Sequence, residues 1–290
     1  MRTYSFFPGC SQLSSAEEYG ISAVEVAEAL GIRLEPLPDW SCCGASSAHM
    51  TNHVLSVALP GRDLALAKKE GRDLTAVCAN CYNNLRSAQA ELLSDEELAG
   101  KVEDIVGMDP RFEGKILPLL DIIMDEIGIK ELEERVRRPL EGLKPVSYYG
   151  CLMSRPPGMM DSDNPDNPQF MDEMLSALGA EAKPWSYKTD CCGGSLSLTQ
   201  TGIVVQLVNR LFDAAEEAGA NCIVTACPMC LANLEMRQKE GRLRFNIEHH
   251  MPVFFITELL GLALGLEGTE EWFGKHLIDP QPLLVKAGLE

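Results

Sequence analysis

Residues 74–81 read Leu-Thr-Ala-Val-Cys-Ala-Asn-Cys, and residues 222–230 read Cys-Ile-Val-Thr-Ala-Cys-Pro-Met-Cys. In both stretches a short β-prone run, Leu74 to Val77 or Cys222 to Thr225, leads into Cys-x-x-Cys. Helical patterns follow, over Tyr82 to Leu93 and Met229 to Lys239. Working outward, each Cys-x-x-Cys is preceded across a gap of 34 residues by Cys-Cys-Gly, at Cys42-Cys43-Gly44 and Cys191-Cys192-Gly193. Further upstream, across gaps of 31 and 39 residues, stands Gly-Cys: Gly9-Cys10 and Gly150-Cys151. Each closes another strand-like run, Thr3 to Phe7 and Pro145 to Tyr149. Asn84-Leu85 and Asn233-Leu234 extend the match, and residues 121–128 echo residues 258–265. A repeat at fixed spacing is the mark of duplication, here with a unit of roughly 130 residues.

Between the first cysteine and Cys-Cys-Gly, apolar spacing predicts a helix over Ala16 to Leu30, with Ser14 or Ser15 as its cap and acids in its first turn. Pro168 to Leu178 is its counterpart. Strands alternating with helices predict an α/β fold: two pseudo-symmetric tandem domains, residues 1–140 and 145–290, each a small mostly parallel sheet flanked by helices. In such sheets chemistry gathers at the carboxyl ends of the strands, where Cys10, Cys151 and both Cys-x-x-Cys pairs are expected. The junction is expected at Leu140 to Pro145. Residues 154–169 read as a loop rich in Pro, Asp and Asn. The tail, Glu267 to Glu290, is expected to pack on the second domain or to meet a partner.

The chain has 290 residues, 43 of them acidic and 25 basic, for a net charge of −18. That balance argues against nucleic acid and anionic lipid as partners, since both need clustered Lys and Arg. No run of about 18 apolar residues is present to span a bilayer, and the start, MRTYSFFPGC, lacks a signal peptide's apolar stretch. A cytoplasmic protein is expected. Eleven cysteines in a reducing compartment point to metal or redox chemistry rather than disulfides.

Two readings compete for five thiols per unit. Structural zinc takes four ligands, commonly from two Cys-x-x-Cys pairs. Adjacent cysteines such as Cys42 and Cys43 diverge along an extended chain and suit a bulky cluster better. A fifth thiol also exceeds the four that hold an ordinary [4Fe–4S] cube. An open or atypical iron–sulfur cluster is therefore favoured over zinc, and over ten plain core thiols. Cys222 falls within a strand and reads as core. His49, His53, His249 and His250 match no ligand spacing between the halves and read as surface or satisfied core residues.

These motifs resemble the twin cysteine-rich, or CCG, domain family, which includes the B-subunit of heterodisulfide reductase. The resemblance covers nearly the whole chain, with the second gap slightly shorter than the family's usual one. It implies two noncubane [4Fe–4S] clusters, one held by Cys10, Cys42, Cys43, Cys78 and Cys81, the other by Cys151, Cys191, Cys192, Cys227 and Cys230. It further implies reduction of the coenzyme M–coenzyme B heterodisulfide between the clusters. Electrons would come from a ferredoxin-like iron–sulfur subunit (the C-subunit), supplied in turn by a flavin subunit (the A-subunit).

The sequence contains neither the ferredoxin run Cys-x-x-Cys-x-x-Cys-x-x-x-Cys-Pro nor a Gly-x-Gly-x-x-Gly fingerprint, so another polypeptide must deliver the electrons. The substrate implied is anionic, and Arg155 and Lys188 are the basic residues nearest the second motif set, expected as its contacts. The alternatives are a related enzyme acting on another disulfide, an electron-relay CCG subunit, or a zinc-stabilised interaction module.

Overall fold

The computed structural model describes residues 2–45, 47–155, 164–245 and 249–289. The first half runs β1 (Arg2–Phe7), α1 (Glu17–Ala29), β2 (Ile32–Pro36), α2 (Ala48–Thr51), α3 (His53–Glu70), β3 (Leu74–Ala76), α4 (Ala79–Ser94), α5 (Glu96–Val106), β4 (Ile116–Pro118), α6 (Leu119–Glu126) and α7 (Gly128–Glu134). The second runs β5 (Pro145–Tyr148), α8 (Phe170–Ala177), α9 (Thr201–Glu217), β6 (Cys222–Thr225), α10 (Pro228–Phe245), β7 (Val253–Phe255), α11 (Ile256–Leu264), α12 (Thr269–Phe273) and α13 (Gln281–Ala287). Two parallel sheets result, in the orders β2-β1-β3-β4 and β5-β6-β7. The α/β fold with two parallel sheets flanked by helices is as the sequence predicts.

β5, β6 and β7 repeat β1, β3 and β4, but among the described residues β2 has no counterpart. The equivalent segment still runs beside β5: Lys183 N donates to Pro145 O at 2.7 Å. The next residue, Pro184, has no N–H to continue a ladder, and the Trp185 indole instead donates to Ser147 O at 2.9 Å.

The strand and helix expectations hold with shifted ends. Ser14 and Ser15 do not cap α1. Ser14 Oγ donates backwards to Cys10 O at 2.9 Å, and Ala16 takes the cap position with no side-chain bond. The helices after each Cys-x-x-Cys begin earlier than their apolar pattern suggests, at Ala79 and Pro228, so Cys81 and Cys230 stand in first helical turns. Pro228 suits that position because the first helical N–H has no partner anyway. Of the loop expected over residues 154–169, residues 156–163 lie outside the described residues.

The two halves share one core. A single apolar cluster runs from Tyr4, Phe6 and α1 to Val146, Tyr148, Phe254 and α11. Fully buried Phe7, Leu74 and Leu85 line a second cluster, on the other face of the first sheet. The tail packs on both halves: Leu284 and Leu289 are buried, and Lys275 Nζ meets Glu17 Oε2 on α1 at 2.6 Å.

Tyr19 on α1 marks where the halves are tied. Its ring stacks on Phe255 with centroids 4.0 Å apart. Its hydroxyl is shared between two carbonyls, Val77 O at 2.8 Å and Ala226 O at 3.0 Å, the residues just before Cys78 and Cys227. Removing the hydroxyl would leave buried carbonyls without that donor, at about 1–3 kcal/mol. Tyr19→Phe is therefore expected to lower unfolding stability by about that amount in denaturant titration, with the apolar stacking retained.

Candidate functional site

Cys151 and Cys227 follow β5 and β6 as Cys10 and Cys78 follow β1 and β3, whereas Cys191-Cys192 lie between α8 and α9; all ten repeated cysteines are free thiols. In the first half, Cys10 lies just past β1, Cys78 just past β3, and Cys42-Cys43 in the loop between β2 and α2. Cys43 Sγ is 3.5 Å from Cys81 Sγ. In the second half the equivalent pair, Cys192 and Cys230, stands 3.7 Å apart, and Cys151 is 4.0 Å from Cys191. The adjacent cysteines differ in burial, Cys42 and Cys191 being exposed and Cys43 and Cys192 buried, yet the Cys42 and Cys43 thiols remain in contact rather than diverging.

Glycine is required beside both pairs. Gly9 and Gly150 take φ of +70° and +66°, and a Cβ on either would come within 3.1 Å of Cys81 Sγ or Cys230 Sγ. A side chain there would be strained and would push against a thiol.

Asn84 and Asn233 secure the Cys-Cys-Gly turns. Asn84 Nδ2 reaches Cys43 O at 3.2 Å, Cys43 Sγ at 3.6 Å and Ala45 O at 3.0 Å. Asn233 Nδ2 repeats this on Cys192 O at 3.3 Å and Cys192 Sγ at 3.5 Å. The sequence shows both asparagines as part of the repeat. Their task was not legible because the turn they hold lies 41 residues away.

The electrostatics of the two sets agree at Cys43 and Cys192 and at Cys81 and Cys230, but differ elsewhere: Cys42 and Cys227 are pushed up, whereas their counterparts Cys191 and Cys78 are pulled down. Cys43 is pulled down to about 3, first by its contact with the Cys42 thiol and then by Cys81 and Asn84. Contact with Cys230 lowers Cys192, opposed by burial. Cys191 falls to about 6 through Cys151 and the backbone of Gly193 and Gly194. Cys81 and Cys230 are pushed up, because each neighbours a thiolate and is buried. Each half thus offers thiolate donors ready for a soft metal.

The two sets touch. Cys78 is pulled well below the usual thiol range, first by a hydrogen bond from Cys227 and then by Cys81. Beside them Asn80 Nδ2 lies 3.4 Å from Met229 Sδ, so the two Cys-x-x-Cys turns face each other. One pocket is walled by all five cysteines of the second set, Cys151, Cys191, Cys192, Cys227 and Cys230, with Ala79 and Asn80 of the first half and with Leu152 and Met229 as apolar lining. Among the described residues no three His, Cys, Asp or Glu side chains are placed to hold one metal ion together. The thiols meet in pairs around a shared space, and five soft donors on such a space fit a multinuclear iron–sulfur group.

Arg155 and Lys188 part company. Arg155 is half-exposed, with its guanidinium 2.7 Å from Asp166 and its carbonyl accepting from Asn83 Nδ2 at 2.9 Å. Lys188 is buried and is not available as an anion contact. Its Nζ sits 2.9 Å from Asp172 and donates to Pro168 O at 3.0 Å. Its carbonyl accepts from Tyr149 N and Gly150 N, which fixes the turn into Cys151. A lysine so enclosed is held by its pair, and its carbonyl shapes the thiol loop. Cys222 is fully buried in β6, as expected of a core residue. His249 is buried against Glu216 at 2.8 Å, and His53 pairs with Glu91 at 3.1 Å.

Several known proteins are similar to this chain. A relative from Wolinella succinogenes named 8-methylmenaquinol:fumarate reductase membrane anchor subunit is 28% identical, over 97% of this chain and 99% of its own. A protein from Archaeoglobus profundus, named as like the B-subunit of heterodisulfide reductase, is 29% identical over 100% and 99%. The B-subunit of a ferredoxin:CoB-CoM heterodisulfide reductase from Methanosarcina mazei is 30% identical over 86% and 85%. Among the described residues, no helix is long and apolar enough to cross a membrane. A crystal structure of a hypothetical protein from Helicobacter pylori shares the fold with a TM-score of 0.77 at 14% identity. It covers 96% of this chain, which spans about half, 52%, of that one. The cysteine-rich domain called CCG matches twice, at residues 4–86 and 146–235, the two segments that carry the thiol sets. With that domain filling more than half of its length, the chain belongs to the CCG cysteine-rich domain family.

Proposed function

We propose that this chain is the disulfide-reducing subunit of a complex of the heterodisulfide reductase type. Cys10, Cys42, Cys43, Cys78 and Cys81 would hold one noncubane [4Fe–4S] cluster, and Cys151, Cys191, Cys192, Cys227 and Cys230 a second. Such clusters, when bound, supply electrons one at a time. The observation that supports the reading is the meeting of the two sets at Cys78 and Cys227, beside a pocket lined by all five cysteines of the second set and by Ala79 and Asn80 of the first half. The names of the Archaeoglobus and Methanosarcina relatives support the substrate class, a mixed disulfide such as that of coenzymes M and B.

The chain's own residues then have separable tasks. Asn84 and Asn233 hold the Cys-Cys-Gly turns so that both thiols of each pair face their set. Leu152 and Met229 exclude water from the pocket. Arg155, exchanging exposed Asp166 for a ligand, would take the substrate's anionic arm. Electrons would enter from a ferredoxin-like iron–sulfur partner, itself fed by a flavin subunit. The chain's sequence carries no run of its own for either cofactor.

A second reading, an electron relay that cleaves nothing, is favoured by the end-to-end likeness to the fumarate reductase anchor protein. One experiment separates the two. The anaerobically purified protein, assayed with reduced viologen, is expected to hold about eight irons and to oxidise the dye on adding the coenzyme M–coenzyme B disulfide. Bound iron with no disulfide-dependent oxidation would favour the relay, and zinc in place of iron would end both readings.

A further inference from the structure

Four titratable side chains from four elements meet in the apolar interior, outside the thiol pocket. His276, in the tail after α12, has a fully buried side chain. Its Nδ1 lies 2.8 Å from Glu235 Oε1 on α10. Its Nε2 lies 3.0 and 3.2 Å from the two carboxylate oxygens of Glu258 on α11. Glu235 and Glu258 are themselves buried, at 2% and 0% exposed. Their spare lone pairs accept from Leu277 N at 2.9 Å and Phe255 N at 2.8 Å. The fourth group is Glu18, 4% exposed in the first turn of α1 and close enough to feel all three. Around the rim stand Lys275, paired with Glu17, and the acids Glu271 on α12 and Glu25 on α1.

Charge counting singles out Glu18. Burial pulls His276 toward neutrality, but Glu258 and Glu235 overcome it and hold the ring protonated up to about 10. One imidazolium and two carboxylates already leave a net negative charge in the interior. Among the described residues, the cations near a fourth ionised group are His276 and Lys275, each already paired with a carboxylate. Burial first, then Glu258 and Glu235, push the Glu18 carboxyl up to about 7, against the help of His276 and a backbone N–H. Fixing the tail would need only the imidazole and one acid. The surplus carboxylates carry a desolvation cost that a latch does not explain.

The cluster backs onto the junction of the thiol sets. Glu235 lies five residues beyond Cys230 on α10, about 7.5 Å along the helix axis. Glu258 holds Phe255 N, and Phe255 stacks on Tyr19, whose hydroxyl bridges the carbonyls before Cys78 and Cys227. A charge added at the second thiol set would be felt here across low-dielectric protein.

We propose that Glu18, backed by the Glu235–His276–Glu258 trio, is a proton store that takes one proton from solvent when the adjoining redox centre gains one electron. The inference rests on the iron–sulfur reading and adds to it the proton side of the reaction. The electron comes from a one-electron iron–sulfur donor protein, and the proton ends on the Glu18 carboxylate. Two such events match the demand of the substrate, RSSR′ + 2e⁻ + 2H⁺ → RSH + R′SH. The sign follows from charge: extra negative charge nearby raises the carboxylate's affinity for a proton.

The test is a redox titration of the intact complex followed by electron paramagnetic resonance, repeated from about pH 5.5 to about pH 9. The midpoint of one centre is expected to be flat below the Glu18 transition near 7 and to fall above it. The limiting slope is tenfold in equilibrium constant per pH unit, 59 mV for a one-electron couple. Glu18→Gln, similar in shape and always neutral, is expected to flatten that slope with iron content unchanged. His276→Gln removes the cation and is expected to move the sloping window to higher pH. A flat midpoint in the wild-type complex with both iron signals present, or a slope that survives Glu18→Gln, overturns the proton store alone. A complex without iron signals overturns the proposed function and the store together.

Discussion

Replacing Cys227 with alanine is expected to halve the bound iron, from about eight to about four atoms per chain, and to reduce disulfide reduction to background. Cys227 sits just past the end of β6, 4% exposed, and its thiol touches both its own set and Cys78 of the other. Its loss removes a donor from one set and the contact that joins the sets. Cys222→Ala is the matched control. Cys222 opens the same strand five residues earlier, fully buried, its thiol pushed up by burial alone. Its loss should cost about 1 kcal/mol of core packing and leave iron and turnover unchanged. Iron quantitation and viologen-linked turnover on both variants check this. Equal iron loss in both would mean that folding, not ligation, governs the metal content.

Lys188→Met is expected to be among the most damaging single changes outside the cysteines. Lys188 Nζ and Asp172 Oδ2 stand 2.9 Å apart with side chains only 5% and 14% exposed, and Asp172 also accepts from the Tyr149 hydroxyl at 2.8 Å. Removing the ammonium leaves a largely buried carboxylate without its cation. Breaking such a pair costs about 3–5 kcal/mol, or roughly 10 °C in Tm for a chain of this size. Asp172→Asn on top of Lys188→Met should cost much less than the sum of the two, because the stranded charge is then gone. Thermal melts across the four-member cycle give the answer. A Lys188→Met protein with wild-type Tm and a raised KM would instead return Lys188 to the role of substrate contact.

The duplication was legible because the cysteine spacing repeats: 34 residues lie between Cys-Cys and Cys-x-x-Cys in both halves. The strands that deliver the thiols were equally plain, as short β-prone runs ending in cysteine. α3 was missed because Pro60 interrupts its pattern, although the helix accommodates that residue in its interior. β4 and β7 are only three residues each, too short for a period of two to show, and unlike the equally short β3 neither leads into a cysteine that marks it.

Lys188 misled for a different reason. A lysine three residues before Cys191 reads as a surface cation until the fold wraps Asp172 and Pro168 around it. Tyr19 and His276 were invisible for the same cause, since their partners lie 58 and 207 residues away for the tyrosine and 18 and 41 for the histidine. Spacing pointed to the residues proposed to hold the group. Contacts between the halves, which only the fold creates, revealed what surrounds it.

The most direct measurement is anomalous diffraction at the iron edge from crystals grown without oxygen. The account predicts two iron-rich peaks, one within each set of five cysteines, on either side of the Cys78–Cys227 contact and opening onto the same pocket. A single peak, a zinc signal, or two iron sites separated by packed protein would contradict it.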